Sequence, residues 1–345
     1  MFFSDHRIDA VSNLGAFLRS VASGAPAPEG LEDLVEALRA AATKSLRHNG
    51  WFTEANVYDA LATWGDALTK ENLLAWRDRE GGTREINRHR VGIVMAGNIP
   101  LVGLHDFLSV FLSGHFAVVK MSSDDEALMP VLATVLLRQD SLFEGDWVFA
   151  DQLNDMDAVI ATGSDNTARY FEYYFGKYPN IIRKNRTSLA LLDGSESDEE
   201  LVALGSDIFQ YFGLGCRNVG HLLAPADFDI QRVFANIVYW SDVVNNNKYG
   251  NNYDYYRALF LLNQEDFLEN GFIIIRENEK LHTPVGILHV SRYQTEEEAA
   301  VKIAQWEEKL QCVVGHGHIP FGKAQQPELW DYADGVNTMA FLANL

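Results

Sequence analysis

From residue 90 onward the chain alternates short β-rich runs with helical ones, and this alternation restricts the fold more than any other feature. RVGIVMA (90–96) reads as a strand and LVGLHDFLSVFL (101–112) as a helix. FAVVKM (116–121) is the next strand, and DEALMPVLATVLL (125–137) the next helix, in which Pro130 has to lie early or cause a kink. WVFA and AVIAT (158–162) add further strands. Parallel neighbours need long crossovers, so this rhythm calls for a parallel sheet covered by helices. Residues 188–315 repeat it: SLALLDG, a helix near 198–211, VGHLLA, helices near 230–262, FIIIREN, VGILHVSRY, a helix at 296–308, and QCVVG. A chain of 345 residues, 47% of them hydrophobic, has room for two such domains.

The first 80 residues follow a different period. Leu31, Leu34, Val35, Leu38, Ala42 and Leu46 mark one helical face that stops near Gly50. Val57, Ala60, Leu61, Trp64 and Leu68 mark another, and Gly81-Gly82 closes the region. The expected division is a helical region at 1–85, a nucleotide-binding α/β domain at 86–187, a catalytic α/β domain at 188–318 and a C-terminal segment at 319–345. The biased stretch NNNKYGNNYDYY (245–256) reads as a solvated loop running into a helix, or as tyrosines lining a pocket.

Charge and cysteine usage exclude several classes. A net charge of −20 repels phosphate backbones and argues against a nucleic-acid partner. Two cysteines, Cys216 and Cys312, make no disulfide framework. MFFSDHRIDAV lacks the apolar core of a secretory signal, and no apolar run reaches the ~18 residues of a membrane span. The expectation is a cytoplasmic globular protein with no metal site.

Ligands of open α/β sheets bind beyond the carboxyl ends of the strands, and three such ends carry polar residues. MAGNIP puts Asn98 after the first strand, as an ordinary loop residue or as an amide that donates to a developing oxyanion. VVKMSSDD ends a strand at Lys120, which is either solvated or within reach of a ribose or phosphate, while Ser122, Ser123 and Asp124 also fit a helix N-cap. ATGSDNTARYF joins a strand to a helix through Gly163-Ser164, where exposed N–H groups suit a pyrophosphate. No GxGxxG is present, so the usual dinucleotide fingerprint is missing. In YFGLGCRNVG, Cys216 is either a small buried hydrophobe or a nucleophile with glycines on both sides and Arg217 beside it. Cys312, in LQCVV, reads as a structural strand residue.

Taken together, GIVMAGNIPLVGL, the VVKMSS strand end, ATGS, glycine-flanked Cys216, TPVGILHVSRY and IPFG resemble, in order and spacing, the aldehyde dehydrogenase superfamily. The nearer resemblance is to its fatty acyl-CoA reductase branch, the type that supplies aldehyde to bacterial luciferase, and DYADGVNTMAFL resembles a signature of that branch. The resemblance covers roughly residues 90–325. It implies an aldehyde dehydrogenase-like fold of two Rossmann-like parallel-sheet domains with an N-terminal helical region. It implies that Cys216 is the nucleophile and that Asn98, with the Cys216 N–H, holds the oxyanion. It also implies that Lys120 holds the adenosine ribose, that Ser122 is a further cofactor contact, and that Gly163-Ser164 faces the nicotinamide side. The cofactor would be NADPH, with NADH as the alternative, and the substrate an acyl-CoA converted to aldehyde through an acyl-Cys216 thioester. The other function weighed is an acyl-transfer or acyl-binding subunit that forms the thioester without reducing it. The oligomeric state stays open, a homo-oligomer included.

Two departures from the superfamily pattern matter. Hydrolytic members carry a water-activating glutamate in Glu-Leu-Gly-Gly-Lys, whereas IIRKNRTSLALL places Arg183 or Lys184 there, so the base that would free an acid is missing. Where the superfamily has the glutamate of Glu-Ile-Phe-Gly-Pro on the nicotinamide ribose, this chain has about Lys280, with Glu279 adjacent. The basic run Arg183-Lys184-Asn185-Arg186 reads as an exposed strand end or as a phosphate contact to coenzyme A or to the 2′-phosphate of NADPH.

Overall fold

The computed structural model describes residues 1–345, apart from the side chain of Asp165. Four helices come first: α1 (Asp5–Ser23), α2 (Glu32–His48), α3 (Glu54–Ala67) and α4 (Lys70–Arg79). Then follow β1 (Arg90–Val94), α5 (Leu104–Ser113), β2 (Phe116–Lys120), α6 (Leu128–Gln139), β3 (Trp147–Phe149), β4 (Ala158–Thr162), α7 (Asp165–Phe175) and β5 (Asn180–Arg183). The next part runs β6 (Thr187–Leu191), α8 (Asp198–Phe209), β7 (Val219–Pro225), α9 (Gln231–Asn236), α10 (Asn247–Asn263), β8 (Leu268–Glu269), β9 (Ile274–Glu277), β10 (Ile287–Tyr293), α11 (Glu296–Trp306) and β11 (Leu310–Val314). A last helix, α12, spans Thr338–Ala343. Two compact units result: Met1–Lys184 with Glu328–Leu345, and Asn185–Pro327. Among the described residues, no helix is long and apolar enough to cross a membrane.

The first unit holds a five-stranded parallel sheet in the order β3-β2-β1-β4-β5. Side chains alternate across each strand. Val91 and Ile93 of β1 join the large core that also contains Phe17, Trp76 and Phe107, so the N-terminal helices share one core with α5 and α6. Val94 faces the other way, toward Val118, Val159 and the α7 residues Phe171 and Phe175. Pro130 is the third residue of α6, in the first turn, where its missing N–H removes no helical bond.

Residues 328–345 belong to this unit, and their contacts give DYADGVNTMAFL a structural role. The Tyr332 hydroxyl accepts from Trp76 Nε1 at 2.7 Å and donates to Glu80 at 2.7 Å. The Asn337 amide also donates to Glu80, at 3.1 and 3.2 Å. Thr338 Oγ1 accepts from Arg183 at 2.9 Å. The segment therefore ties α4 to the end of β5.

The second unit holds six strands in the order β11-β6-β7-β10-β9-β8, parallel except for the short β8, which runs antiparallel to β9. Two parallel-sheet α/β units and a helical N-terminus are thus the architecture the alternation calls for. The asparagine-rich stretch is a correction to the solvated-loop reading. Asn246 caps α10 by accepting from the N–H groups of Lys248 and Tyr249, and Asn247 onward is helix. Tyr249 and Tyr253, four residues apart, are buried on one face, and the Tyr249 hydroxyl donates to the Phe272 carbonyl at 2.9 Å. The polar composition hid that face.

Candidate active site

In the first unit, five of the expected site residues gather at the carboxyl ends of three adjacent strands. β1 lies between β2 and β4, with Val94 level with Lys120 on one side and Ala161 on the other. Since β2 and β3 extend one way and β4 and β5 the other, β1 and β4 flank the switch point where α/β sheets open a crevice. The loop after β1 carries Asn98, exposed. Lys120 ends β2 with its ammonium donating to the Asp151 carbonyl at 2.6 Å. Ser122 packs on the loop of Asn98, because a Cβ built on Gly97 would lie 2.6 Å from Ser122 Oγ. Its hydroxyl also accepts from Asp124 N at 3.2 Å, and α6 begins only at Leu128, so these serines shape a turn and do not cap the helix.

Gly163 and Ser164 form the joint between β4 and α7. Ser164 caps the helix, accepting from Thr167 N at 3.3 Å. A Cβ on Gly163 would meet Phe171 at 2.9 Å and Thr167 at 3.1 Å, so a larger residue would push against the first turns of α7. A glycine-tight turn, a helix N-terminus and an exposed lysine around a switch-point crevice fit the phosphates and ribose of a dinucleotide.

Two buried groups that sequence reasoning passed over hold the Asn98 loop. Asn49, the C-cap of α2, donates its amide to the Gly97 carbonyl at 3.1 Å. Asp125 accepts from Leu101 N at 2.7 Å. Burial pushes the Asp125 carboxyl up to about 6, although the Leu101 bond pulls it down. An acid raised in the folded state binds its proton more tightly there than in the unfolded chain. It therefore costs stability as pH rises through about 4 to 6, and each tenfold gain in proton affinity on folding corresponds to about 1.4 kcal/mol. Asp125→Asn is expected to be more stable than wild type at pH 7.5, with the advantage shrinking by roughly 1 kcal/mol at pH 5. Urea unfolding of both proteins at the two pH values measures this, and a pH-independent difference would refute the assignment.

In the second unit, Cys216 lies in the turn between α8 and β7 and is half-buried. The approach to it is strained. Tyr211 (φ 53°), Phe212 (φ 59°) and Gly213 (φ 75°) are all left-handed, a conformation that costs a non-glycine residue about 1–2 kcal/mol. Asn218 organises the turn: its Oδ1 accepts from Gly215 N at 2.8 Å and its Nδ2 donates to the carbonyls of Asp207 (3.0 Å) and Gln210 (2.9 Å). Asp207, fully buried, accepts from Gly322 N at 2.6 Å and Ala324 N at 2.9 Å, and burial raises its carboxyl to about 6. Arg217 Nε donates to the Ala324 carbonyl at 2.5 Å, so this cation is built into the loop that follows IPFG. Ser188 of β6 donates to the Cys216 carbonyl at 3.0 Å and lies 3.0 Å from the Cys312 sulfur. Cys312 is half-buried in β11.

The basic run at 183–186 requires a correction. Arg183 is 4% exposed, with its guanidinium 2.5 Å from Asp106. A charge this buried has to be paired; Asp106 is its counter-charge, and Thr338 accepts a second bond from the guanidinium. Lys184 pairs with Glu172 at 2.9 Å, and Arg186 donates to the Leu310 carbonyl at 2.8 Å. Only Arg183 is buried; Lys184 and Asn185 are exposed and Arg186 is half-buried, so the solvated-end reading fails at Arg183 alone. Near LHTPVG, Glu279 pairs with Lys302 at 3.1 Å, and the Lys280 carbonyl binds the His289 ring at 2.7 Å.

Residues 70–224 match the model of a family described as acyl-CoA reductase (LuxC). That span includes Asn98, Lys120, Ser122, Gly163, Ser164 and Cys216. No curated protein matches the chain at a significant level. Among solved structures, aldehyde dehydrogenase 21 of Physcomitrella patens in complex with succinate superimposes with a TM-score of 0.62 at 13% identity, over 90% of this chain and 78% of that one. An aldehyde dehydrogenase of Mycobacterium tuberculosis complexed with NAD+ gives 0.59 at 15% identity, over 91% and 74%. An NAD-dependent aldehyde dehydrogenase of Sinorhizobium meliloti gives 0.63 at 13%, over 90% and 70%. Fold and family match together support an oxidoreductase acting on aldehyde or acyl groups. The chain thus has the aldehyde dehydrogenase fold, and its residues 70–224 are similar to the acyl-CoA reductase (LuxC) family.

Proposed function

We propose that the protein reduces an acyl-CoA to the aldehyde with a nicotinamide cofactor, NADPH in the first instance, through an acyl-Cys216 thioester. The observation that carries this is the acyl-CoA reductase match over a segment holding both Asn98 and Cys216. In this reading the Cys216 thiolate attacks the thioester carbonyl. The amide of Asn98 and the N–H of Cys216 stabilise the oxyanion, and coenzyme A leaves as its thiol after taking a proton. A bound nicotinamide supplies the hydride that reduces the acyl carbon. The same donors hold the oxygen until collapse releases aldehyde and returns the thiolate. Lys120 and Ser122 at the end of β2, and the α7 N-terminus at Gly163-Ser164, are the residues assigned to the cofactor.

Arg183 supports reduction over hydrolysis. It stands in the region where hydrolytic relatives carry their water-activating carboxylate, and its guanidinium is buried against Asp106 and Thr338. Without a base for water, an acyl-cysteine persists long enough to be reduced.

Intact-mass spectrometry of the wild type with acetyl-, hexanoyl- and dodecanoyl-CoA, without nicotinamide, tests the reading. The expected result is one added acyl group, lost on addition of NADPH or NADH as aldehyde appears. An adduct that survives both cofactors selects the acyl-transfer or acyl-binding alternative. Absence of any adduct overturns both.

A further inference from the structure

We infer that Asn49 and Asp125 are positioning residues for Asn98, fixing the peptide unit just before it and the one that joins Pro100 to Leu101. The inference rests on Asn98 serving as the oxyanion donor. The loop from Met95 to Gly103 leaves the sheet after Met95 N bonds the Lys120 carbonyl at 3.0 Å. Among the described residues no strand ladder continues beyond that bond, so the loop's shape depends on other partners. Asn49 supplies the first. It is 4% exposed, and its Oδ1 accepts from Trp51 N at 3.0 Å, which turns its Nδ2 toward the Gly97 carbonyl at 3.1 Å. That carbonyl and the Asn98 N and Cα lie in one rigid peptide plane, so holding the oxygen sets where the Asn98 side chain starts.

Asp125 supplies the second anchor, three residues on. It is 6% exposed and accepts from Leu101 N at 2.7 Å. Leu101 is 1% exposed and left-handed at φ 59°, a conformation a leucine keeps only where its surroundings impose it. Gly97 is wedged as well, since a Cβ there would lie 2.6 Å from Ser122 Oγ and 3.0 Å from Asp124 Cβ. Asn98 is thus carried between two clamped peptides. A donor has to point at the place where negative charge develops, and a displacement of about 1 Å can cost about 10²-fold in rate. This gives the N-terminal helical layer, through the C-cap of α2, a part in the chemistry.

A double-mutant cycle separates positioning from general stability. Single-turnover acylation is followed by intact mass, using whichever of acetyl-, hexanoyl- and dodecanoyl-CoA labels the wild type fastest. Asn49→Ala and Asp125→Ala are each expected to slow acylation at saturating acyl-CoA by about 10-fold or more, with half-saturation little changed. On an Asn98→Ala background the same substitutions should slow it less than about twofold, because the group they aim is gone. Asp125→Asn keeps an acceptor for Leu101 N–H and should recover most of the rate lost in Asp125→Ala. Full slowing on both backgrounds, or none on the wild-type background while Asn98→Ala is slow, overturns the positioning role. If Asn98→Ala itself acylates at the wild-type rate, the oxyanion assignment fails first and the inference falls with it. Should Asn49→Ala not fold, the Asp125 pair answers the same question.

Discussion

Cys216→Ala is expected to lose turnover by at least about 10³-fold and to take no acyl mass from any acyl-CoA, while its unfolding midpoint stays near that of the wild type. Removing a nucleophile abolishes the covalent route, and the surrounding groups alone sustain only residual catalysis. The fold should tolerate the change, because the turn is held by bonds that do not use the sulfur atom. Asn218 spans Gly215 to the end of α8, Arg217 grips the Ala324 carbonyl, and Ser188 binds the Cys216 carbonyl. Cys312→Ser is the matched control. Its thiol, in β11, sits against Ser188 of β6, and its loss should leave acyl labelling intact. If Cys312→Ser abolishes labelling in a folded protein, or Cys216→Ala still accepts an acyl group, the nucleophile has been misassigned.

Asn98→Ala is expected to lower both acylation and reduction by about 10² to 10³-fold, the usual cost of one oxyanion donor. Affinity for NADPH should remain nearly unchanged, since the assigned cofactor contacts lie after β2 and β4. The two half-reactions should fall together, because each passes through a tetrahedral oxyanion at the same carbon. Stopped-flow acylation and NADPH oxidation, with NADPH binding followed by fluorescence, measure the three quantities. Equal loss in both half-reactions with intact binding supports the role, and unaltered turnover removes Asn98 from the mechanism.

Much of this architecture can be read from spacing alone. The short β-rich apolar runs RVGIVMA and FAVVKM read as strands, and the helices between them call for a parallel arrangement. Pro130 is constrained to a first turn by its missing N–H. Where the reading stops, the reason is physical. Asn49, Asp125, Asp207 and Asn218 act through side-chain bonds to backbone groups, and single polar residues leave no periodic trace. Arg183 looked solvated because a charge run usually is, and its partners Asp106 and Thr338 lie 77 and 155 residues away. The helix of α10 is expected within 230–262, but its start and its buried tyrosine face are obscured by asparagines whose composition suggests a loop. Asn98 and Cys216 stood out for the opposite reason, since each lies in a short run that physical chemistry and family resemblance single out together.

The division of the chain into units also bears on how the protein is made. The first unit is discontinuous: its chain leaves at Lys184 and returns at Glu328. Trp76 and Glu80 wait for Tyr332 and Asn337, Tyr332 lying 256 positions after Trp76, and Arg183 waits for Thr338. During vectorial synthesis the second unit, which is continuous, therefore has all its residues before the first does. The unit that begins first is completed last. Contacts of such long sequence separation close slowly, and in the interval the surfaces of α4 and α5 that Tyr332 and α12 cover in the finished unit lie open to chaperones, proteases or other chains.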